Sequence, residues 1–186
     1  MELETRRLLL RPFRAADLRD LHEYSSQPGV GEMAGWRHHG SVDESRRVLE
    51  RYLRNPDIFA VEHRESGKVI GHIAAHPDSE NGRADTRELG FVLHRDYQRR
   101  GLMAEAVGKL LEYLPTRGVR HIYACCFQEN EPSRRLIEKC GCVLEGEGTY
   151  DSKSLDRTFP SYEYVYEART YKEASEPRFR GFFHEL

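Results

Sequence analysis

A chain of 186 residues with 38% hydrophobic side chains and 15 glycines has the size and composition of one folded domain, because single cores stop growing near ~250 residues and disordered chains carry fewer apolar groups. The 29 Lys and Arg nearly cancel the 31 Asp and Glu for a net charge of −2, so no overall field draws the protein to nucleic acid or to an anionic membrane. No apolar run approaches the ~18 residues of a membrane span and the N-terminal leucines are too few for a signal peptide, so a cytoplasmic protein is expected.

In chain order, residues 3–10 read as a first strand, which Pro12 interrupts before a helix over 15–25 with Leu18, Leu21 and Tyr24 at helical spacing. Residues 27–40 hold four glycines, a proline and the only tryptophan, too long for a connector and suited to binding. Ser41 and Glu44 form a capping-box pattern for a second helix that ends before Pro56. Residues 58–63 and 69–75 are β-rich and form a hairpin, and residues 86–93 are a fourth strand. A charged loop then leads into a long helix in which Met103, Val107, Leu110, Leu111 and Leu114 make one apolar stripe. Residues 121–127 form a fifth strand on which Cys125 and Cys126 point to opposite faces. With Cys140 and Cys142 they lack C-x-x-C spacing, so reduced, packed thiols and no metal are expected.

A fourth helix has Pro132 in its first turn, Leu136, Ile137 and Cys140 inward and Gly141 as its stop. Two last strands fall near 142–148 and 162–170, with an acidic loop over 150–161. This order of about seven strands and four helices describes an α/β fold, a mixed α+β sheet with a βαβ unit at its centre. One domain over 1–170 is expected, and a tail over 171–186 whose Phe179, Phe182 and Phe183 suit either one amphipathic turn or an unstructured terminus.

The segment Gln98-Arg99-Arg100-Gly101-Leu102-Met103-Ala104-Glu105-Ala106 carries a basic, Gly-containing loop directly into a helix. Free N–H groups of the first turn, the helix dipole and the two arginines converge on one spot, which suits a pyrophosphate. It is not a Walker loop, and no G-x-G-x-x-G follows a strand, so kinase and dinucleotide readings fall away.

This segment resembles the acyl-CoA pyrophosphate loop, Q/R-x-x-G-x-G/A, of the GNAT acetyltransferase superfamily. The opening T-R-R-L-L-L-R-P-F, the strand E-L-G-F-V-L-H and N-E-P-S-R-R-L-I-E-K-C-G-C look like the RimJ/RimL-type ribosomal-protein N-acetyltransferase branch in the same order, together covering nearly the whole chain to Thr170. Met103 stands where Gly or Ala is commonest, and Ile137 where many members carry a tyrosine acid.

The resemblance implies a mostly antiparallel GNAT-like sheet and acetyl-CoA as cosubstrate without a metal. The cosubstrate would lie between the strands 86–93 and 121–127, along Phe91, Val92 and Leu93, with its pyrophosphate at Gln98, Arg99, Arg100, Gly101, Leu102, Met103 and Ala104. Arg99 and Arg100 read alternatively as a solvated basic turn. Glu88 would be the general base near the acceptor, or an exposed strand carboxylate in a surface ion pair. Gly90 would permit a bulge that frees an N–H for the thioester carbonyl. Asn130 and Ser133 would hold the pantetheine arm and protonate the departing thiolate, or serve only as local caps. Trp36 and His38, in a stretch that looks like the branch's G-W-x-x-H, would face the acceptor; a lone Trp is otherwise a core residue. Residues 150–161, with Asp151 and Asp156, would form the opposite wall and attract a cationic amine, or read as a solvated acidic loop.

The acceptor implied is a primary amine, foremost a protein or peptide N-terminus, reached by a monomer or homodimer without nucleic acid or membrane. A polyamine or aminoglycoside acetyltransferase and a non-catalytic acyl-CoA-binding regulatory module are the alternatives, since fold does not fix the acceptor.

Overall fold

The computed structural model describes residues 1–77 and 82–168; the tail over 171–186 lies outside them. Eight strands form one sheet in the order β1-β2-β3-β4-β5-β6-β8-β7. They are β1 Leu3–Glu4, β2 Leu8–Arg11, β3 Ile58–His63, β4 Lys68–Pro77, β5 Thr86–Leu93, β6 His121–Phe127, β7 Val143–Ser152 and β8 Arg157–Glu167. Every neighbouring pair is antiparallel except β5 and β6. The helices are α1 Leu18–Ser25, α2 Val42–Tyr52, α3 Leu102–Tyr113 and α4 Glu131–Lys139.

The apolar stripe of α3 (Met103, Val107, Leu110, Leu111) is buried with Ile137 of α4 against Val61, Ile70, Ile73, Leu89 and Ile122 on one sheet face. On the other face Leu21 and Tyr24 of α1 and Val48 and Leu49 of α2 cover Ile58, Ala60, Ala74 and Val92. That second core takes no buried residue from β6, β7 or β8, so this half of the face carries no helix core among the described residues.

Two sequence expectations change. The first strand is two strands, because Thr5 accepts from Leu8 N–H at 2.9 Å through its hydroxyl and turns the chain, pairing Leu3 with Leu10. The acidic loop over 150–161 is instead the paired ends of β7 and β8, from Tyr150 opposite Phe159 to Ser152 opposite Arg157.

Candidate active site

The parallel pair β5 and β6 holds only from Thr86 and His121 to Leu89 and Ala124. Beyond that point β6 stays with β8 as far as Phe127 and Ser161, while β5 stays with β4 and runs on toward α3. The backbone edge of residues 90–93 therefore faces a gap rather than a strand. A cleft of about 990 Å³ opens there, lined by residues 88–93, by Cys125, Cys126 and Phe127, and by the starts of α3 and α4. Gly90 keeps unbroken register with Ala74, so no bulge forms at Gly90; the parting of the strands frees the edge instead.

At the start of α3, Gln98, Arg99, Gly101, Leu102, Met103 and Ala104 line the cleft. Arg99 (φ 60°) and Gly101 (φ 73°) both adopt left-handed conformations, a pattern that curls successive N–H groups into an anion-binding concavity. No side chain caps α3, so the N–H groups of its first turn and the positive end of its dipole stay open to an anion. Glu105 fixes this turn to the first hairpin, accepting from Thr5 Oγ1 at 2.5 Å, Arg7 N–H at 2.8 Å and Arg7 Nε at 2.7 Å. Burial pushes the Glu105 pKa up, but these hydrogen bonds outweigh it and hold the carboxyl below its ordinary value. The Gln98 amide donates to Leu93 O at 2.9 Å and folds the loop back onto β5. The Arg100 side chain does not line the cleft: its guanidinium lies 5.5 Å from the Tyr97 ring centre, and its carbonyl accepts from Arg7.

On the other side, half-buried Glu88 lines the cleft, in register with His76 of β4 and Tyr123 of β6. Asn130 and Ser133 also line it. Asn130 Oδ1 accepts from Ser133 N–H at 3.2 Å as the cap of α4, and its Nδ2 donates to Met33 O at 3.1 Å, tying α4 to the loop after α1. Burial, followed by the Glu163 charge, pushes the Cys125 thiol up to about 12, and burial pushes Cys126 up to about 11. Both stay protonated and are poor nucleophiles at neutral pH.

The structure does not bring Trp36 and His38 into this lining. The Trp36 ring packs 5.3 Å from His39 and presses on Gly31, joining the core beneath α1 and α2. His38 donates to Glu32 at 2.7 Å. Burial would raise the Glu32 pKa, but the bonds from His38 and from the Gly29 and His38 N–H groups win and bring it to about 2. Met33, His76, Phe127 and Tyr150 stand in the lining instead; the sequence marked the segments 27–40 and 150–161 that carry Met33 and Tyr150, but none of the four as an individual site residue. For Tyr150 the available signal was the pairs Thr149-Tyr150 and Thr158-Phe159, β-favouring residues at both ends of a polar stretch.

A model of the GNAT acetyltransferase domain matches residues 7–143. The chain is also 31% identical to YnaD, an uncharacterized N-acetyltransferase of Bacillus subtilis, over 147 residues that make up 78% of this chain and 85% of that one. The chain belongs to the GNAT acetyltransferases. A solved GNAT acetyltransferase from Bacillus anthracis is 26% identical and superposes with a TM-score of 0.80 over 90% of this chain and 99% of its own. The ribosomal-protein-S5-alanine acetyltransferase of Vibrio fischeri, 17% identical, shares the fold with a TM-score of 0.72 over 90% of this chain and 97% of its own.

As a GNAT member this protein is an acetyl-CoA-dependent N-acetyltransferase. The residues present fit that cosubstrate. The uncapped first turn of α3 offers N–H groups to a pyrophosphate, and a Cβ at Gly101 would meet nothing nearer than Arg7 Nη2 at 3.7 Å, so the approach is open.

Proposed function

We propose that this GNAT enzyme acetylates the α-amine of a protein or peptide N-terminus by direct attack of the amine on the thioester. The observation that carries it is the parted pair β5 and β6, with a carboxylate, Glu88, and an uncapped helix start bordering one cleft. In this reading N–H groups from Arg99 to Ala104 hold the pyrophosphate, and the free edge at Phe91, Val92 and Leu93 receives the pantetheine arm. The C–N bond forms as the C–S bond breaks; Glu88 takes the amine's proton, directly or through water, and the Ser133 hydroxyl protonates the thiolate. Asn130 acts by orienting Ser133 and Met33. The raised thiol pKa values of Cys125 and Cys126 speak against an acyl-cysteine intermediate.

Only a neutral amine attacks. With reference pKa values of ~7.7–8.0 for an α-amine and ~10.4 for lysine, deprotonation at pH 7 costs about 1–1.4 and about 4.6 kcal/mol. A site with one carboxylate base, and Ile137 where a tyrosine acid often stands, suits the easier amine. The likeness to the RimJ/RimL branch and the fold shared with a ribosomal-protein-alanine acetyltransferase support the same acceptor.

CoA release measured across N-terminal peptides, lysine-bearing blocked peptides, polyamines and aminoglycosides tests it. The highest kcat/KM is expected for an N-terminal peptide. A higher value for a free polyamine or a lysine side chain would overturn the α-amine assignment, and amine-independent acetyl-CoA binding without turnover would favour a regulatory module.

A further inference from the structure

We infer that Tyr150 receives the acceptor: its hydroxyl hydrogen-bonds the attacking amine, and its ring, with Phe127 and Met33, takes an apolar group carried next to that amine. This deepens the reading of the site given above and rests on it for the identity of the reaction.

Tyr150 stands near the far end of β7, in register with Phe159 of β8. Its ring has a fixed seat. On one side lies Gly35, a buried glycine with φ +82°, and a Cβ there would come within 2.6 Å of the tyrosine ring, so the ring lies against bare backbone. Ser152, two residues further along the same strand face and itself buried, donates from Oγ to Gly35 O at 2.7 Å and pins the loop over that ring. On another side Phe127 lies 5.5 Å away and is itself stacked on Phe159 at 4.2 Å with an interplanar angle of 6°. Tyr150 is 38% exposed, so its ring is backed by Gly35 and Phe127 while part of it stays open, an arrangement that suits positioning a small nucleophile.

The seat is part of the cleft. Tyr150 lines it together with Glu88, Gly90 and Cys125. Burial first, then the Glu88 carboxylate, push its phenol pKa up, so the hydroxyl stays neutral at physiological pH. A neutral phenol both donates and accepts, so it can hold the amine's N–H while leaving proton removal to the carboxylate. Val30, Met33 and Ala34 of the overlying loop line the same cleft with Phe127, and Met33 is 43% exposed, an apolar side chain open to solvent. The chemistry beside the amine is therefore apolar and aromatic. It fits the side chain of a first residue such as leucine or methionine better than the second ammonium of a polyamine.

The test compares wild type, Tyr150→Phe and Gly35→Ala, using the best amine from the acceptor panel whether or not it is an N-terminus, so failure of the α-amine assignment does not decide this result. Tyr150→Phe should raise the acceptor KM at least fivefold, leave the acetyl-CoA Kd from calorimetric titration unchanged and keep the basic limb of the kcat/KM pH profile. Gly35→Ala, which keeps the hydroxyl but displaces the ring, should raise the acceptor KM as well. In wild type, a peptide beginning with Leu should be preferred to one beginning with Asp, and Met33→Asp should shrink that preference.

An acceptor KM within twofold of wild type in Tyr150→Phe overturns the proposal. So does a rise in acetyl-CoA Kd that matches the rise in KM, which would make the tyrosine a packing residue. Loss of the basic limb overturns it too, by making Tyr150 a titrating acid.

Discussion

At the residue scale, Gly101 and Arg99 shape the turn that opens α3, and the proposed pyrophosphate contact rests on that backbone conformation. Both sit at positive φ, and only Gly101 does so without strain. A Gly101→Val substitution places a β-branched side chain in a left-handed conformation, which costs on the order of 1–3 kcal/mol, and also fills the approach to the first turn of α3. Arg99→Ala removes one exposed charge worth up to ~1 kcal/mol. Gly101→Val should therefore weaken acetyl-CoA binding at least tenfold and Arg99→Ala less than about fivefold in calorimetric titration. Small, equal losses would contradict backbone recognition of the pyrophosphate.

At the scale of elements, β5 and β6 were legible in the sequence with the bounds they have in the structure, Thr86–Leu93 and His121–Phe127. β6 is a short, mostly apolar run and β5 ends in Phe91, Val92 and Leu93, each followed by polar or charged loop residues, so local signals suffice. The split of the first strand was not legible: a threonine three positions before a leucine run gives no turn signal by itself, although its hydroxyl accepts from Leu8 N–H to turn the chain, and Thr5 and Arg7 are further held by Glu105 about a hundred positions away. The far half of the β7–β8 hairpin was hidden by Asp151, Ser152 and Pro160, polar or ring-closed residues that read as loop until Gln128 N–H is seen donating to Pro160 O at 2.9 Å.

The layer of α1 and α2 on β4 supplies a pH prediction. His72 lies beneath it between the Tyr24 hydroxyl at 3.1 Å and the Tyr52 hydroxyl at 3.4 Å, and burial first, then the His76 and His39 charges, lower its pKa to about 3. Its folded pKa is below the unfolded value near ~6.5, so the unfolded chain binds the extra proton between these values and stability is lost as pH falls below ~6.5. Between pH 7 and 5 this group alone removes about 2 kcal/mol. Urea unfolding of His72→Gln should show a loss over that range smaller by about that amount than in wild type. Identical losses in the two proteins would contradict a buried neutral imidazole.

At the scale of the whole molecule, the sheet is covered on both faces around β3 and β4 and lacks the α1/α2 core over β6, β8 and β7, and the cleft opens where these halves meet. The stretch bordering the cleft at α3 was legible because a Gly-containing loop running into a helix is a contiguous, local pattern: six of 98–104 line the cleft, Arg100 being turned onto Tyr97. The opposite wall was legible only in part: residues 150–161 read as a wall through Asp151 and Asp156, whereas Tyr150 is the one of that stretch in the lining, and Met33, His76, Cys125 and Tyr150 come from four segments that only the topology joins. Trp36 illustrates the difference: the family resemblance suggested an acceptor contact, yet its ring is spent on Gly31 and His39, as the reading of a lone tryptophan as a core residue has it. A cleft open to both reactants suits direct transfer, in which proximity supplies much of the rate and the base completes it.

The most direct measurement is CoA release by Glu88→Gln at saturating amine, paired with calorimetric titration of acetyl-CoA. If Glu88 is the base, kcat falls by about 10²–10⁴-fold while the acetyl-CoA Kd stays within about twofold of wild type. Wild-type turnover in Glu88→Gln would contradict that role and return Glu88 to an ordinary strand carboxylate.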